Sequence, residues 1–249
     1  MKTHLLFFAI IISNTLFTQK QPVANQKIAV LVVGNDVGEY ANEQLDELAT
    51  LFRSKNIFVY KFYYPNADWT KIKNAATTCS FFVYNGHGCS NCGLDGEYGG
   101  MYVNDFVKAE MITTELHFEN SPLVVIQNSC GAAGASSSDV NSITYTEAKN
   151  RVTDSALPYF MSGAGAYFAT NWMGGAFTFI EDFLVGQQLQ EAYNKVALIE
   201  DKVITKVISS TNELNGNSIC LGYSNRDSKN IFNTAFIGET GFCLADIHK

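Results

Sequence analysis

Two short blocks carry residues able to do covalent chemistry. One is Tyr84-Asn85-Gly86-His87-Gly88, a histidine between two glycines. The other is Gln127-Asn128-Ser129-Cys130-Gly131, with its cysteine 43 residues after that histidine. A thiol is mostly protonated at neutral pH, and a nearby imidazole can take its proton and later give it to a leaving amine. Past residue 25 the chain has three histidines, His87, His117 and His248. His117 lies in a polar stretch and His248 is the penultimate residue, so His87 is the candidate base and Cys130 the candidate nucleophile. The adjoining glycines let backbone N–H groups approach a reacting carbonyl, which makes the amides of Gly88 and Cys130 candidate oxyanion donors. The plainer alternatives are a histidine that closes a strand end and an inert buried thiol.

Such a pair works only if the chain brings both residues to one place, and the surrounding pattern is of that kind. Residues 27–34 form an unbroken β-branched run ending in glycine, which reads as a strand covered on both faces. Residues 42–55 carry Leu45, Leu48 and Leu51-Phe52 at helical spacing. Residues 57–64 read as a strand closed by Pro65-Asn66, residues 68–76 as a short helix, and residues 80–84 and 123–127 as further apolar strands. Residues 98–103 suggest a small hairpin and residues 164–170 another strand. Helical apolar spacing runs from 174 to about 209, and the tail from 215 to 249 reads as short β segments. Strands alternating with helices predict an α/β fold, a mostly parallel central sheet with helices on both faces, in a single domain over 27–249. In such sheets reactive side chains collect just past the carboxyl ends of strands, where His87 and Cys130 both fall. If the two strands are neighbours, about 4.8 Å apart, imidazole and thiol come within reach.

These blocks and their order resemble the His-Gly and Cys blocks of caspase-like cysteine peptidases: gingipains, clostripain, legumain, separase and the CHAT domains. Histidine first and cysteine second matches that group and not the papain-like enzymes. A third block, residues 163–172 ending in Thr170-Asn171-Trp172, is similar to the strand after the nucleophile in gingipain and CHAT relatives, where its end helps to bind an extended substrate. The resemblance covers residues 27–200. It implies a caspase-like three-layer α/β/α sandwich and peptide-bond hydrolysis through an acyl-thioenzyme, without a required cofactor. Carried over by position, Cys130 is the nucleophile, His87 the acid/base, the Gly88 and Cys130 amides the oxyanion donors, and Asn171 and Trp172 part of the substrate site. Asn128 and Ser129 stand where many relatives have an acidic or amide residue followed by alanine.

The other cysteines admit further readings. Cys89-x-x-Cys92 follows His87 closely, so His87, Cys89 and Cys92 with a fourth group such as Cys79 form a possible zinc set, although the usual second half-site is absent. In an exported chain disulfide bonding is the default. With Cys130 reduced, five cysteines remain and at most two bridges form, with Cys220–Cys243 the first expectation. A pocket for a basic side chain needs a carboxylate. Asp36, just beyond the first strand, is at the right edge of the sheet, and Asp139 and Asp154 lie in a small, polar stretch over 132–155 that reads as a surface loop with a short helix near 145–149. The plainer reading of Asp36, a solvated turn residue that caps the next helix, outweighs the pocket reading. Trp172 is either a subsite wall or an interior aromatic. Lys149-Asn150-Arg151 offers an exposed basic site for self-processing.

Composition narrows the partners. The chain has 249 residues, 47% hydrophobic and 16% charged, enough apolar surface for a core. Its net charge is −7 with Lys and Arg scattered singly, which argues against nucleic acid and leaves a peptide or protein substrate as the expected partner. Residues 1–19 read as a signal peptide: Lys2 followed by an apolar run over 5–12 that is too short to span a bilayer. Cleavage is expected between Ser13 and Asn25, giving a secreted or periplasmic protein without a membrane span. The rivals from other classes are a catalytically silent relative that binds peptides or acts as a scaffold, and a hydrolase or acyltransferase of non-peptide substrates using the same pair.

Overall fold

The computed structural model describes residues 21–90, 98–171, 174–199, 204–211, 214, 217–226 and 229–247. The expected leader, Cys92, Trp172 and His248 lie outside these residues. In chain order the elements are β1 (Ile28–Val33), α1 (Glu39–Ser54), β2 (Phe58–Tyr63), α2 (Trp69–Ala76), β3 (Phe81–Asn85), β4 (Cys89–Ser90), β5 (Tyr98–Gly99), β6 (Met101–Tyr102), β7 (Phe106–Val107), α3 (Ala109–Glu115), β8 (Leu123–Gln127), α4 (Tyr145–Met161), β9 (Ala166–Thr170), α5 (Gly175–Leu184), α6 (Leu189–Ile199), β10 (Ile204–Thr211), β11 (Ser218–Arg226) and β12 (Lys229–Gly238).

Eight strands form one sheet in the order β10-β11-β12-β9-β8-β3-β1-β2, and β4–β5 and β6–β7 make two small antiparallel pairs. From β2 to β9 every neighbour is parallel; β12, β11 and β10 extend the sheet antiparallel. Strand alternation divides the core in two. Val30, Val32, Phe82, Tyr84, Val124 and Ile126 face a layer containing Ile72 of α2, Ile112 of α3 and Val152 and Tyr159 of α4. Ala29, Leu31, Val33, Phe81, Val83 and Val125 face Leu45, Leu48 and Phe52 of α1, Phe179 and Phe183 of α5 and Tyr193 of α6. The result is a three-layer α/β/α sandwich around a mostly parallel sheet. Its central strands read as near-continuous apolar runs because both faces are covered. Among the described residues no helix is long and apolar enough to cross a membrane.

Three expectations are corrected. The stretch 132–155 is only half a loop: α4 starts at Tyr145, capped by the Thr144 hydroxyl, which accepts the Glu147 N–H at 3.1 Å, and Ala148, Arg151, Val152 and Ser155 are buried. Small residues there pack the core instead of facing water. The helical reading of 174–209 gives two helices, broken where Gly186 takes φ 96°, and then β10, whose β-branched composition favours extended chain. Cys220 and Cys243 are both free. The hairpin register sets Phe236 opposite Cys220, and the Cys220 thiol is buried against the α1/α5/α6 layer, seven residues of chain short of its expected partner.

Candidate active site

β3 and β8 are adjacent, with Asn85 opposite Gln127, so the segments bearing His87 and Cys130 leave the sheet side by side. Their approach is close. A Cβ added at Gly88 would lie 2.2 Å from the Ser129 Oγ and 3.2–3.3 Å from the Cys130 carbonyl oxygen and amide nitrogen. Only a glycine fits between His87 and the Cys130 segment. His87 is exposed and Cys130 half-buried.

The His87 turn is held by a residue the sequence did not mark. The Tyr84 hydroxyl, buried on the α2/α4 face, lies 2.8 Å from the His87 carbonyl oxygen and 3.0 Å from that of Tyr102, and accepts the Tyr102 N–H at 3.0 Å. Burial holds the Tyr84 phenol well above its usual pKa range, so it stays a neutral donor. A Cβ at Gly86 would meet that hydroxyl at 2.4 Å, and one at Gly34 would meet it at 2.8 Å. Gly86 and Gly34 therefore leave room for the tyrosine that sets the turn.

The imidazole is tied on its far side by backbone. His87 Nε2 is 3.3 Å from the Asp36 carbonyl oxygen, at a residue held at φ 57° in the β1–α1 loop. A carbonyl can only accept, so Nε2 is the donor in this contact and Nδ1 is the ring nitrogen not engaged by it. Asp36 thus reaches His87 through its main chain.

On the other side, Cys130 Sγ is 3.6 Å from the Ser137 Oγ. The loop from 131 onward is fixed by Arg151 of α4, which donates to both Asp139 carboxylate oxygens at 2.8–2.9 Å, to Glu147 at 2.6 Å and to the Gly134 carbonyl at 3.2 Å. The guanidinium also stands 4.8 Å from the Tyr98 ring centre, and that ring covers Gly131, where a Cβ would lie 2.3 Å from it. Arg151 is only 7% exposed and helical, which overturns its reading as an exposed processing site, and Asp139 is engaged by it. Neither the Gly88 nor the Cys130 N–H donates to a protein acceptor among the described residues, while the Gly131 N–H is taken by the Ala135 carbonyl at 3.0 Å.

A polar layer backs the strand tips. Asn128, at φ 58°, donates from Nδ2 to Asn85 Oδ1 at 2.9 Å, and Asn85 Nδ2 donates to Gln44 Oε1 at 3.0 Å. The Asn128 N–H bonds the Thr170 carbonyl and the Asn171 N–H bonds the Asn233 carbonyl, so Asn171 is fixed just past β9, one strand from the segment that carries Cys130. Among the residues of the zinc reading, Cys89 is disulfide-bonded and has no thiolate to offer, and the Cys79 thiol is sealed in the core, where burial raises its pKa well above the usual range. His117 is exposed beyond α3, a separate part of the chain. Set against models of known protein families and against curated protein sequences, the chain matches none.

Proposed function

We propose that the protein is an exported caspase-like cysteine endopeptidase in which Cys130 attacks a peptide carbonyl and His87 moves the protons. The observation that carries this reading is the packing of Gly88 directly on the Ser129 hydroxyl and the Cys130 backbone, with the His87 Nε2 engaged by the Asp36 carbonyl. Nδ1 takes the Sγ proton, and the thiolate adds to the substrate carbonyl carbon. The resulting oxyanion accepts from the Gly88 and Cys130 N–H groups, and the tetrahedral adduct collapses as Nδ1–H protonates the leaving amine. A water, deprotonated at the same nitrogen, then cleaves the thioester and restores the thiol. Fixed amides at the rim of a rigid parallel sheet cost little reorganisation during the reaction.

One observation favours a second reading, a silent module that binds peptides without cutting them: Sγ contacts Ser137, and no hydrogen bond joins His87 to Cys130 among the described residues. Catalytic contacts often tighten only with substrate bound, so activity decides. Digestion of a peptide library by the wild-type chain should give cleavage that disappears in Cys130→Ala and in His87→Ala, with unfolding midpoints unchanged. Cleavage that survives either substitution overturns the assignment. No cleavage at all, with Cys130 alkylated no faster than free cysteine, selects the silent module.

A further inference from the structure

Between the first turns of α1 and the start of α5, against the last residue of β8, lies a cleft of about 350 Å³. Gln127 lines it, is only 2% exposed, and its amide nitrogen has no hydrogen-bond partner among the described residues. A buried amide left unpaired is a penalty that a ligand with a matching polar atom removes. Gln44 lines the same space but is already bonded to Asn85. At the mouth stand Glu43 and Glu47, one helical turn apart and exposed, and neither is ion-paired among the described residues. Like charges at that spacing repel each other, and a cation between them relieves the repulsion. Tyr40 and Phe177 add aromatic rings to the wall. A second trough shares Glu47 and Phe177 and continues along α1 past Thr50 to Ser54.

Two unpaired carboxylates, aromatic rings and one free carboxamide suit a guanidinium or ammonium on an alkyl stem that also brings peptide carbonyls. The volume is at the low end of the roughly 300–1,000 Å³ of small-molecule sites, enough for one long side chain with its flanking peptide. Neither Cys130 nor His87 lines the cleft. We propose that it is a docking subsite for an arginine or lysine side chain of a bound peptide, distinct from the residue at the cut bond. The proposal rests on the preceding reading only in taking the ligand to be a peptide. The cleft shares the Gln44–Asn85–Asn128 hydrogen-bonded layer with the strand tips, so a peptide anchored there lies against the rim that carries Cys130.

The test uses the full chain carrying Cys130→Ala and the probe Nα-acetylargininamide, followed by amide chemical-shift titration. Saturable shifts should map to α1 and α5, affinity should fall as salt is raised, and Nα-acetylnorleucinamide should not bind. Glu43→Gln with Glu47→Gln, both at exposed positions, should weaken binding at least tenfold while leaving the rest of the spectrum in place. Absence of binding, equal binding of the norleucine compound, or equal binding by the double variant overturns the proposal. Peptide cleavage by the wild-type chain is measured separately. Cleavage without argininamide binding removes the cleft and leaves the peptidase; binding without cleavage does the reverse.

Discussion

Gly88→Ala tests the closeness of the two strand tips directly. The new methyl carbon would sit 2.2 Å from the Ser129 Oγ, which can rotate only within a site that is 5% exposed, and 3.2–3.3 Å from two backbone atoms of Cys130, which cannot rotate at all. Overpacking of this kind costs about 1–3 kcal/mol. With a urea dependence near 3 kcal/mol/M, a loss of about 2 kcal/mol lowers the unfolding midpoint by about 0.7 M. Ser129→Ala removes the worst contact and leaves the milder ones, so the double variant should regain more than half of that loss, a coupling of about 1 kcal/mol or more. A displacement of the His87 and Cys130 segments by about 1 Å should also lower peptide turnover by roughly a hundredfold. The assay is a four-member urea cycle, with peptide-level mass spectrometry of iodoacetamide labelling to read Cys130 apart from Cys243, the other half-buried free thiol among the described residues. A Gly88→Ala protein as stable and as reactive as wild type, or a Ser129→Ala change that rescues nothing, refutes the reasoning.

Arg151→Met removes the cation that binds Asp139, Glu147 and the Gly134 carbonyl at once; because the two carboxylates keep some solvent, the loss should be about 2–3 kcal/mol in urea unfolding, below the ~3–5 of a fully buried pair. Asp36→Gly should keep turnover, since glycine retains the carbonyl that meets His87 and accepts φ 57°, whereas Asp36→Pro, forced to negative φ, should swing that carbonyl away and abolish it; a turnover assay on both variants separates carbonyl from carboxylate. Burial pushes the Cys220 thiol from an ordinary value of 9.0 up to about 11. The folded state therefore favours the protonated form, and this contribution to stability is complete below pH 9 and is lost as pH rises towards 11. Melting temperatures measured across that window should fall less steeply in Cys220→Val than in wild type.

Much of the frame is readable from residue order because its strands are covered on both faces. The predicted run over 123–127 coincides with β8, and the runs at 27–34 and 80–84 differ from β1 and β3 by a residue or two at their ends. The polar residues that end these runs mark the sheet's carboxyl rim, which is why His87 and Cys130 stand out. What fails is what depends on distant chain. Ala132, Ala133 and Ala148 look like loop residues yet fill the core, since small side chains are where helix and sheet approach most closely. Thr144 followed three residues later by Glu147 was a legible helix start. The role of Tyr84 was not legible, because its partner Tyr102 comes from a separate hairpin. The Asp36 contact is a main-chain one and leaves no trace in side-chain identity.

The loop behind Cys130 leans on strand β12. The Ala135 N–H donates to the Phe232 carbonyl at 2.8 Å, and the Phe232 side chain packs on Gly134. A chain still emerging from the ribosome has no Phe232 with which to brace that loop until synthesis has passed position 232. Nascent and truncated products therefore carry both the thiol and the imidazole, but hold the thiol on an unbraced segment. A stop codon between positions 130 and 232 leaves the Cys130 loop without this support.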